Sequence, residues 1–298
     1  MIDLDALDAL AAVETEGSVH AAATVLGYTP SAVSQQVKRL ERQVGLALLE
    51  RVGRGVVLTG AGRQLVEDAG DVRARLEAIT ADLHRSAGTV AGRLRITAFS
   101  TAVRGLVAPA VRRVQAAHPD LELTLHEHEP WQAVDLVATG RFDLGIVHSW
   151  GDLPLSVPEH LVATTVAHDV ADVLVAADHP LAGRVRVTPH DLLDVAWVAT
   201  AEGTICRQWL SRMYVGTGST PRIAHVSGEF DSHVALVRAG LGVALVPRLG
   251  RATLPEDVVA LEAVDPVPER TVSVVRRRST DRSPAVRAVV AALAGDRT

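Results

Sequence analysis

Residues 18–59 constrain the fold more than any other stretch, because they read as two short helices joined by a tight turn. Ser18 can cap an alanine-rich helix, and Gly27 can end that helix in the left-handed conformation. Thr29 and Pro30 then supply an N-cap and a first helical residue, so a second helix begins only a few residues later. The stretch therefore predicts two closely packed helices with a fixed turn between them.

The second helix has two different faces. Apolar residues recur at helical spacing and predict a buried stripe of Val33, Val37, Leu40 and Val44. The polar residues off this stripe are Ser31, Ser34, Gln35, Lys38, Arg39 and Arg42. Hydroxyls and cations can hold phosphates, and glutamine can pair with adenine through two hydrogen bonds in the major groove. The exposed face therefore suits DNA.

A basic hairpin is predicted directly after this helix. Gly45 ends the helix, and the apolar runs 46–49 and 56–58 flank a tip that contains Arg51 and Arg54. Two amphipathic helices alone could equally form a structural helical hairpin. The basic wing, the polar face and the N-terminal position favour a winged helix-turn-helix that binds DNA.

One ordered series of residues extends over this region. It comprises Ser31, Val33, Ser34, Gln36, Val37, Leu40, Glu41, Gly45, Leu48, Leu49, Arg51, Leu58, Thr59 and Gly62. With the alanine-rich helix before it, the series resembles the N-terminal signature of the LysR-type transcriptional regulators. Leu49 stands where that family more often has phenylalanine, which is an exchange between apolar core residues. The resemblance implies a regulator that binds an approximately palindromic promoter site in double-stranded DNA, with RNA polymerase as a further candidate partner.

We assign separate roles to the polar residues of this motif. Gln35, Ser34 and Arg39 are expected to reach base edges. The residues expected to hold phosphates are Thr29, Ser31, Lys38, Arg51 and Arg54. The net charge of the chain is -5, and residues 1–90 carry 9 basic against 12 acidic groups, so DNA binding must depend on a local patch.

Composition predicts a cytoplasmic protein of two or three domains. The chain has 298 residues, of which 48% are hydrophobic, so it can bury a large core. No apolar run approaches the length of a membrane span, and the acidic N-terminus lacks the basic start of a signal peptide. One cysteine fits a reducing compartment, and no contact with membranes is expected.

Two helices frame the motif. Residues 3–15, with Asp3 as cap, predict a supporting helix, and a long helix is predicted from Thr59 to about Ser86. Its apolar residues alternate in steps of four and three, at Leu65, Ala69, Val72, Leu76, Ile79 and Leu83. This is the rhythm of a coiled coil, which predicts a homodimer or a larger homo-oligomer such as a tetramer. The alternative is an amphipathic helix that packs on its own domain.

The remaining chain predicts an α/β fold. We assign residues 1–59 to the winged helix-turn-helix, 60–88 to the linker helix and hinge, and 89–298 to this third part. Strands are predicted at 94–99, 121–127, 142–147, 170–176, 195–199, 222–227, 242–247 and 271–276. Helices are predicted at 103–117, 131–139, 189–193, 206–214, 229–238 and 284–293. Their alternation indicates a largely parallel sheet.

This part is expected to form two lobes, with lobe I at about 91–163 and 267–298 and lobe II at about 164–266. It resembles the effector-binding domain of the same family, which is itself similar to periplasmic solute-binding proteins. The resemblance then covers essentially the whole chain.

An effector site is predicted where strands end and helices begin, since helix N-termini there attract anions. The candidates are Ser100, Thr101, His148, Ser149, Thr200, Gly203, Thr204, Glu229 and Phe230. Thr101 could instead be only a helix cap. The resemblance implies an inducer at the turn of Ser100, and we expect an anionic or polar metabolite.

Other chemistry has less support in the sequence. The run His126, Glu127, His128 and Glu129 places two histidines on one face, but without a third ligand it predicts no metal, and no cofactor is expected. Arg276, Arg277 and Arg278 predict a solvated strand edge. No enzyme is predicted, because the chain lacks the nucleophile-elbow, zincin and P-loop motifs. Two alternatives stay open: a redox regulator that uses Cys206, and a solute-binding or enzymatic α/β protein.

Overall fold

The computed structural model describes residues 2–53, 55–151, 153 and 155–295. These residues form two compact units. The first unit ends at Ala87 and also includes Arg278–Ser283, and the second unit begins at Gly88.

The first unit begins with three helices, α1 (Leu4–Glu16), α2 (Val19–Leu26) and α3 (Pro30–Val44). Each helix starts at a side-chain cap and ends at a left-handed glycine, as predicted: Ser18 and Gly27 for α2, and Thr29 and Gly45 for α3. The core that the helices share includes Leu10, Ala22, Val33, Val37 and Leu40, all buried.

The wing is a two-stranded antiparallel hairpin, β1 (Leu49–Val52) and β2 (Gly55–Leu58). The hairpin was predicted, but the first strand lies three residues later than the run 46–49. Leu46 is 58% exposed, whereas Leu48 is buried in the core of the helices, so the apolar run is a connection and not a strand. Arg54, at the predicted tip, lies outside the described residues.

The helix α4 (Gly60–Ala87) follows the wing over 28 residues. Its start is fixed by Thr59, whose hydroxyl accepts from the amide of Gly62 at 3.0 Å and donates to the carbonyl of Ala47 at 2.8 Å. A Cβ on Gly62 would lie 2.3 Å from the carbonyl oxygen of Leu48. Only glycine therefore allows the helix to pack this closely on the wing.

The second unit is an α/β structure, which confirms the predicted fold class. Its strands are β3 (Gly92–Ala98), β4 (Leu121–Glu127), β5 (Leu144–Trp150), β6 (Leu161–Ala176), β7 (Arg186–Val187), β8 (Ala196–Ala199), β9 (Arg222–Val226), β10 (Val243–Pro247), β11 (Val258–Ala263) and β12 (Glu269–Arg277). Its α-helices are α5 (Ser100–Ala102), α6 (Ala108–Ala117), α7 (Pro130–Ala138), α8 (Ile205–Met213), α9 (Phe230–Arg238) and α10 (Pro284–Ala294).

One long strand joins two regions of the sheet. The main strand order is β4-β3-β5-β12-β6-β10-β8-β9. The first part of β6, Leu161 to Val170, pairs with β12, and its second part, from Ala171 to Ala176, pairs with β10 and β11. The outer pairs are parallel, as predicted, but β12 and β6 are antiparallel to their neighbours, so the sheet is mixed.

Several predicted boundaries in this unit were wrong. The strand β5 continues through His148, Ser149 and Trp150, which were expected to follow it. The strand at 170–176 is the end of the longer β6, and β7 and β11 were not predicted. The helix expected at 103 starts at Ser100 and passes through a π-helical turn at Val103–Val107. The differences in the strands reflect pairing with distant strands, which outweighs local pattern.

Arg276 and Arg277 do not form a solvated edge. Their exposed fractions are 9% and 6%. Arg277 donates to the carbonyls of Val137 and Phe142 at 2.8 and 2.6 Å. The reason is that β12 lies between β5 and β6 and is therefore a central strand, whose arginines must find partners inside the unit.

Candidate DNA-binding face and effector cavities

The polar face of α3 is accessible, as predicted. Ser31, Gln35, Lys38 and Arg39 are exposed, and Ser34 is half-buried. Beneath them Val33, Val37 and Leu40 are buried at 0–2% exposure, which fixes how the helix is rotated. This rotation presents the candidate base-reading residues on one surface.

The first turn of α3 is held by hydroxyls. Thr29 accepts from the amide of Ala32 at 3.2 Å, and its hydroxyl lies 3.0 Å from that of Ser31. Both residues are exposed, so a phosphate could contact them at the helix N-terminus. Arg51, on the first wing strand, is also exposed.

Two acidic residues support this surface, in roles that were not predicted from the sequence. Glu41 on α3 accepts from the amides of Leu48 and Leu49, at 2.9 and 3.3 Å, and so joins the helix to the wing. Asp3 forms an ion pair with Arg39, which was predicted to reach base edges. The guanidinium of Arg39 is therefore engaged by α1 in this structure.

The predicted coiled-coil residues of α4 divide into two groups. Leu65 and Ala69 pack against the core of the first unit. The other four are exposed: Val72, Leu76, Ile79 and Leu83, at 52%, 46%, 46% and 65%. An apolar stripe of this size on a helix marks an interaction surface.

A buried arginine lies at the centre of the second unit. Arg270 is 1% exposed, and its neighbours across the sheet are Trp150 on β5 and Asp169 on β6. Its guanidinium donates to Asp169 and to the hydroxyl of Thr101, both at 2.8 Å. It also lies over the rings of Phe99 and Trp150, at 5.2 and 5.6 Å. Thr101 is thus tied to the sheet, and it is not the cap of its helix, because the N-cap of α5 is Phe99.

His148 belongs to the same buried cluster. Its ring packs edge-on against Phe99 at 4.5 Å and against Trp150 at 6.3 Å. Desolvation, together with the positive charge of Arg270, holds the pKa of His148 well below its usual value. The imidazole is therefore neutral and acts as a packed ring at physiological pH. Ser149, on the opposite face of β5, is half-buried and pairs with Thr271.

The candidates near residue 200 form a turn before α8. The hydroxyls of Thr200 and Thr204 lie 2.7 Å apart, and Thr204 caps α8 by accepting from the amide of Arg207. Gly203 has a φ of +88°, which only glycine adopts readily. Cys206 follows in the first turn, and burial raises the pKa of its thiol to about 11.

Three of the predicted effector residues line two different cavities. The first, of about 10 Å³, is lined by Thr200, Cys206 and Phe230 and has room for one water molecule. The second, of about 210 Å³, is lined by Thr101, Phe230 and Asp231. Phe230 and Pro247 line both cavities. Ser100, His148, Ser149, Gly203, Thr204 and Glu229 line neither of these two cavities.

Several acidic side chains lie near the N-terminus of α9. Burial raises the pKa of Glu127, and the negative charge of Glu229 raises it further. Burial also raises the pKa of Glu129, and the negative charge of Glu127 raises that pKa further. The guanidinium of Arg104 lies 4.0 Å from Glu229 and 3.9 Å from Asp231. The neighbouring rings of His126 and His128 are 6.4 Å apart. Within the described ranges no group of three or more His, Cys, Asp or Glu side chains is placed to hold a metal.

A winged helix-turn-helix ahead of a two-lobed α/β unit defines a ligand-responsive transcriptional regulator. Family comparison agrees with this class over nearly the whole chain. Residues 4–63 match the bacterial regulatory helix-turn-helix protein family of lysR type, and residues 87–297 match the LysR substrate binding domain. The chain therefore belongs to the LysR family of transcriptional regulators.

Individual relatives support the same conclusion. The HTH-type transcriptional activator IlvY of Salmonella typhimurium is 30% identical over 241 residues, which cover 79% of each protein. The HTH-type transcriptional regulator YfeR of Shigella flexneri is 27% identical and covers 96% of this chain and 91% of its own length. A full-length OxyR variant from Pseudomonas aeruginosa shares the fold, with a TM-score of 0.71, 23% identity and coverage of 98% and 95% of the two chains.

Among the described residues, no helix is both long enough and apolar enough to span a membrane.

Proposed function

We propose that the protein reads an approximately palindromic DNA site as a homodimer or higher oligomer in the cytoplasm, through one α3 helix per subunit. The observation that carries this proposal is the exposed polar face of α3 above the buried side chains of Val33, Val37 and Leu40. Gln35, Ser34 and Arg39 contact base edges, and Thr29, Ser31, Lys38, Arg51 and Arg54 contact phosphates. Promoter-bound subunits could then contact RNA polymerase.

The exposed stripe on α4 supports the oligomer. Val72, Leu76, Ile79 and Leu83 continue the coiled-coil rhythm beyond the part of the helix that its own unit covers. A second α4 would bury all four, and two linked α3 helices would meet half-sites about one helical turn or more apart.

A small-molecule effector between the two lobes of the second unit would control this DNA binding. The turns at Ser100, Thr204 and Phe230 supply hydroxyls and helix N-termini from both sides of the shared strand β6. An effector that binds one arrangement of the lobes better than another shifts the population of DNA-binding states. We propose no catalytic role for these residues.

A redox regulator that uses Cys206 is the weaker alternative. Its thiol has a pKa of about 11, so almost none is present as the reactive thiolate at neutral pH. The chain also has a single cysteine, which excludes an internal disulfide. These two facts favour a metabolite over an oxidant as the signal.

One experiment tests the whole proposal. Metabolites are screened against the full-length protein by tryptophan fluorescence, since Trp150 is buried beside Arg270 and Trp131 is 38% exposed. Each hit is then added to a footprint on the DNA upstream of the protein's own gene. We expect a footprint that a hit alters, and a protein with no footprint at low salt would contradict the proposal.

A further inference from the structure

Residues 278–283 follow the last residue of β12 but belong to the first compact unit. The chain returns to the second unit at Pro284, where α10 begins. The first turn of this segment, Arg278–Thr280, contacts α4. Residues 278–283, here called the contact segment, are therefore continuous with the second unit at both ends and pack with the long helix of the first.

A short hydrogen bond joins the contact segment to α4. The hydroxyl of Ser279 donates to Oε2 of Glu77 at 2.5 Å. Hydrogen bonds from a hydroxyl to a carboxylate at this distance are roughly twice as strong as neutral ones. Ser279 is half-buried, and Thr280 beside it is 9% exposed. The bond is thus partly shielded from water and fixes the turn at one position along the helix.

The bond lies on the side of α4 that faces away from the exposed apolar stripe. Helical spacing places Glu77 and Ala81 on one face, roughly opposite Leu76 and Ile79. Ala81 is 4% exposed, whereas Leu76 and Ile79 are both 46% exposed. The face of Glu77 is therefore packed within the protein. A shift of the contact segment acts on the helix whose other side is proposed to pair two copies of the chain.

Both ends of the contact segment are anchored in the second unit. Arg277, the residue before it, donates to the carbonyls of Val137 and Phe142. Val286 and Val289, shortly after it, are buried in a core cluster of that unit. Packed interiors transmit displacement, and only six residues lie between these two anchors. A movement of β12 is therefore passed to the contact segment.

The other connection of α4 to the second unit is less suited to this task. The helix ends at Ala87, and Gly88 follows with a φ of +64°. Gly92, where β3 begins, has a φ of +105°. Glycine has the greatest backbone freedom, so a short connection between two glycines transmits rotation poorly. The contact segment contains no glycine and is bonded directly to the helix.

The strand β12 also carries the buried arginine of the second unit. Arg270 bonds to Asp169 and to Thr101, and Ser279 follows it by nine residues of the same chain. One continuous stretch thus extends from the buried cluster to the hydrogen bond on α4.

We propose that the contact segment carries the state of the second unit to α4, with the hydrogen bond between Ser279 and Glu77 as its latch. A change around Arg270 moves the end of β12, and the latch applies this movement to α4. The inference rests on the proposed function in taking the second unit as the sensor and α4 as the dimerisation helix. It adds the physical route between them, in which Ser279 is a positioning residue.

The test is a double-mutant cycle, read by hydrogen–deuterium exchange of the full-length protein without DNA. Thr101→Val removes the hydroxyl that accepts from Arg270 and keeps a branched side chain. We expect it to speed exchange of the amides of residues 77–87 by about fivefold, the lower end of typical coupling between sites. In a Ser279→Ala background the same change should have less than about a twofold effect. Equal effects in both backgrounds, or no effect in either, would overturn the proposal.

Control variants separate the latch from the loss of any hydroxyl. Ser279→Thr keeps the hydroxyl and should restore the response to Thr101→Val. Ser86→Ala removes a hydroxyl of α4 that donates to the carbonyl of Asp82, and it should leave the response intact. A response that Ser86→Ala abolishes as fully as Ser279→Ala would overturn the assignment to this bond. Circular dichroism verifies folding, and Asp169→Asn, which weakens the hold on Arg270, replaces Thr101→Val if that variant unfolds.

The same cycle on DNA distinguishes this inference from the proposed function. Mobility shifts use the duplex upstream of the protein's own gene. Thr101→Val should change affinity by about fivefold, and by less than about twofold in the Ser279→Ala background, which itself still binds. A fivefold change in both backgrounds would overturn the latch and leave the proposed function standing. A wild-type protein that binds no DNA at low salt but shows the exchange cycle would overturn the proposed function and leave the latch.

Discussion

Arg270 and Asp169 form an ion pair that is almost completely removed from water, with exposed fractions of 1% and 5% for their side chains. The pair links β12 to β6, the strand that both lobes share. Through Thr101 and Leu249 it also holds a helix start and a turn. Both charges of the pair therefore help to hold the strands, the helix start and the turn of the second unit in place.

We expect Arg270→Met to destabilise the second unit by about 3–5 kcal/mol, because Asp169 is left as an unpaired buried charge. Calorimetric unfolding should show a lower melting temperature for this unit. The double variant Asp169→Asn/Arg270→Met removes both charges and should recover part of the loss. A single variant as stable as the wild type would contradict the role of the pair.

Gln35→Ala should weaken specific DNA binding by roughly 1–3 kcal/mol and relax the base preference at one position of each half-site. Lys38→Ala should weaken binding to all duplexes and flatten the salt dependence by about one unit. Both are measured by mobility shift over a range of salt. Gln115→Ala, at an exposed glutamine of α6, is the matched control. If both variants bind every duplex like the wild type, α3 is not the recognition helix.

Asp3→Asn should release Arg39 while keeping the cap of α1, because asparagine caps helices as well as aspartate. The loss of a negative charge near DNA should raise affinity by a few-fold at low salt, in line with an exposed ion pair worth up to about 1 kcal/mol. In an Arg39→Gln background the gain should shrink. An equal gain in both backgrounds would show that the ion pair plays no part.

Leu76→Lys should convert the oligomer to a smaller species, because it places a charge in the exposed apolar stripe of α4. Sedimentation gives the mass, and DNA affinity should fall with it, since two linked half-site contacts reinforce each other. Glu67→Lys, on the opposite side of the helix, should change neither. A dimer of unchanged stability in Leu76→Lys would exclude this interface.

Alkylation of Cys206 should be slow in the folded protein at pH 8 and should speed up only as the pH approaches about 11, the raised pKa of the thiol. The unfolded protein in urea should react near pH 9, the ordinary value. Because the folded pKa is higher, the contribution of the protonated thiol to stability is complete below pH 9 and is lost progressively as the pH rises from 9 through about 11. Rapid alkylation of the folded protein at pH 7 would contradict this expectation and would favour the hypothesis of a redox regulator that uses Cys206.

The structural features that the sequence predicts best are those that depend on residues close together in the chain. Caps such as Ser18 and Thr29 and the glycine at position 45 depend on contacts within a few residues, and they were predicted correctly. The stripe of α3 was predicted correctly except for Val44, which is only half-buried. The family motif placed the wing at the right junction, although β1 starts later than its apolar run. Local pattern alone cannot distinguish a buried connection such as Leu48 from a strand.

The interior of the second unit could not be predicted in the same way. Arg270 meets Asp169 and Thr101 across 101 and 169 residues of sequence, and no local pattern marks such a contact. His148 was expected beyond its strand, and the two cavities that Phe230 lines are formed by residues from several separate segments of the chain. The predicted effector residues and the domain boundaries stay predictions.

The position of β12 has a consequence for how the protein is made. Among the described residues this is the last strand in the sequence, yet it lies between β5 and β6 and is the strand that connects them. A ribosome must therefore synthesise all the other described strands before the sheet can close, whereas α1, α2, α3 and the wing precede them in the chain and emerge earlier. A chain truncated after residue 266 would therefore contain the winged helix-turn-helix but would lack β12, so the sheet of the second unit could not be completed.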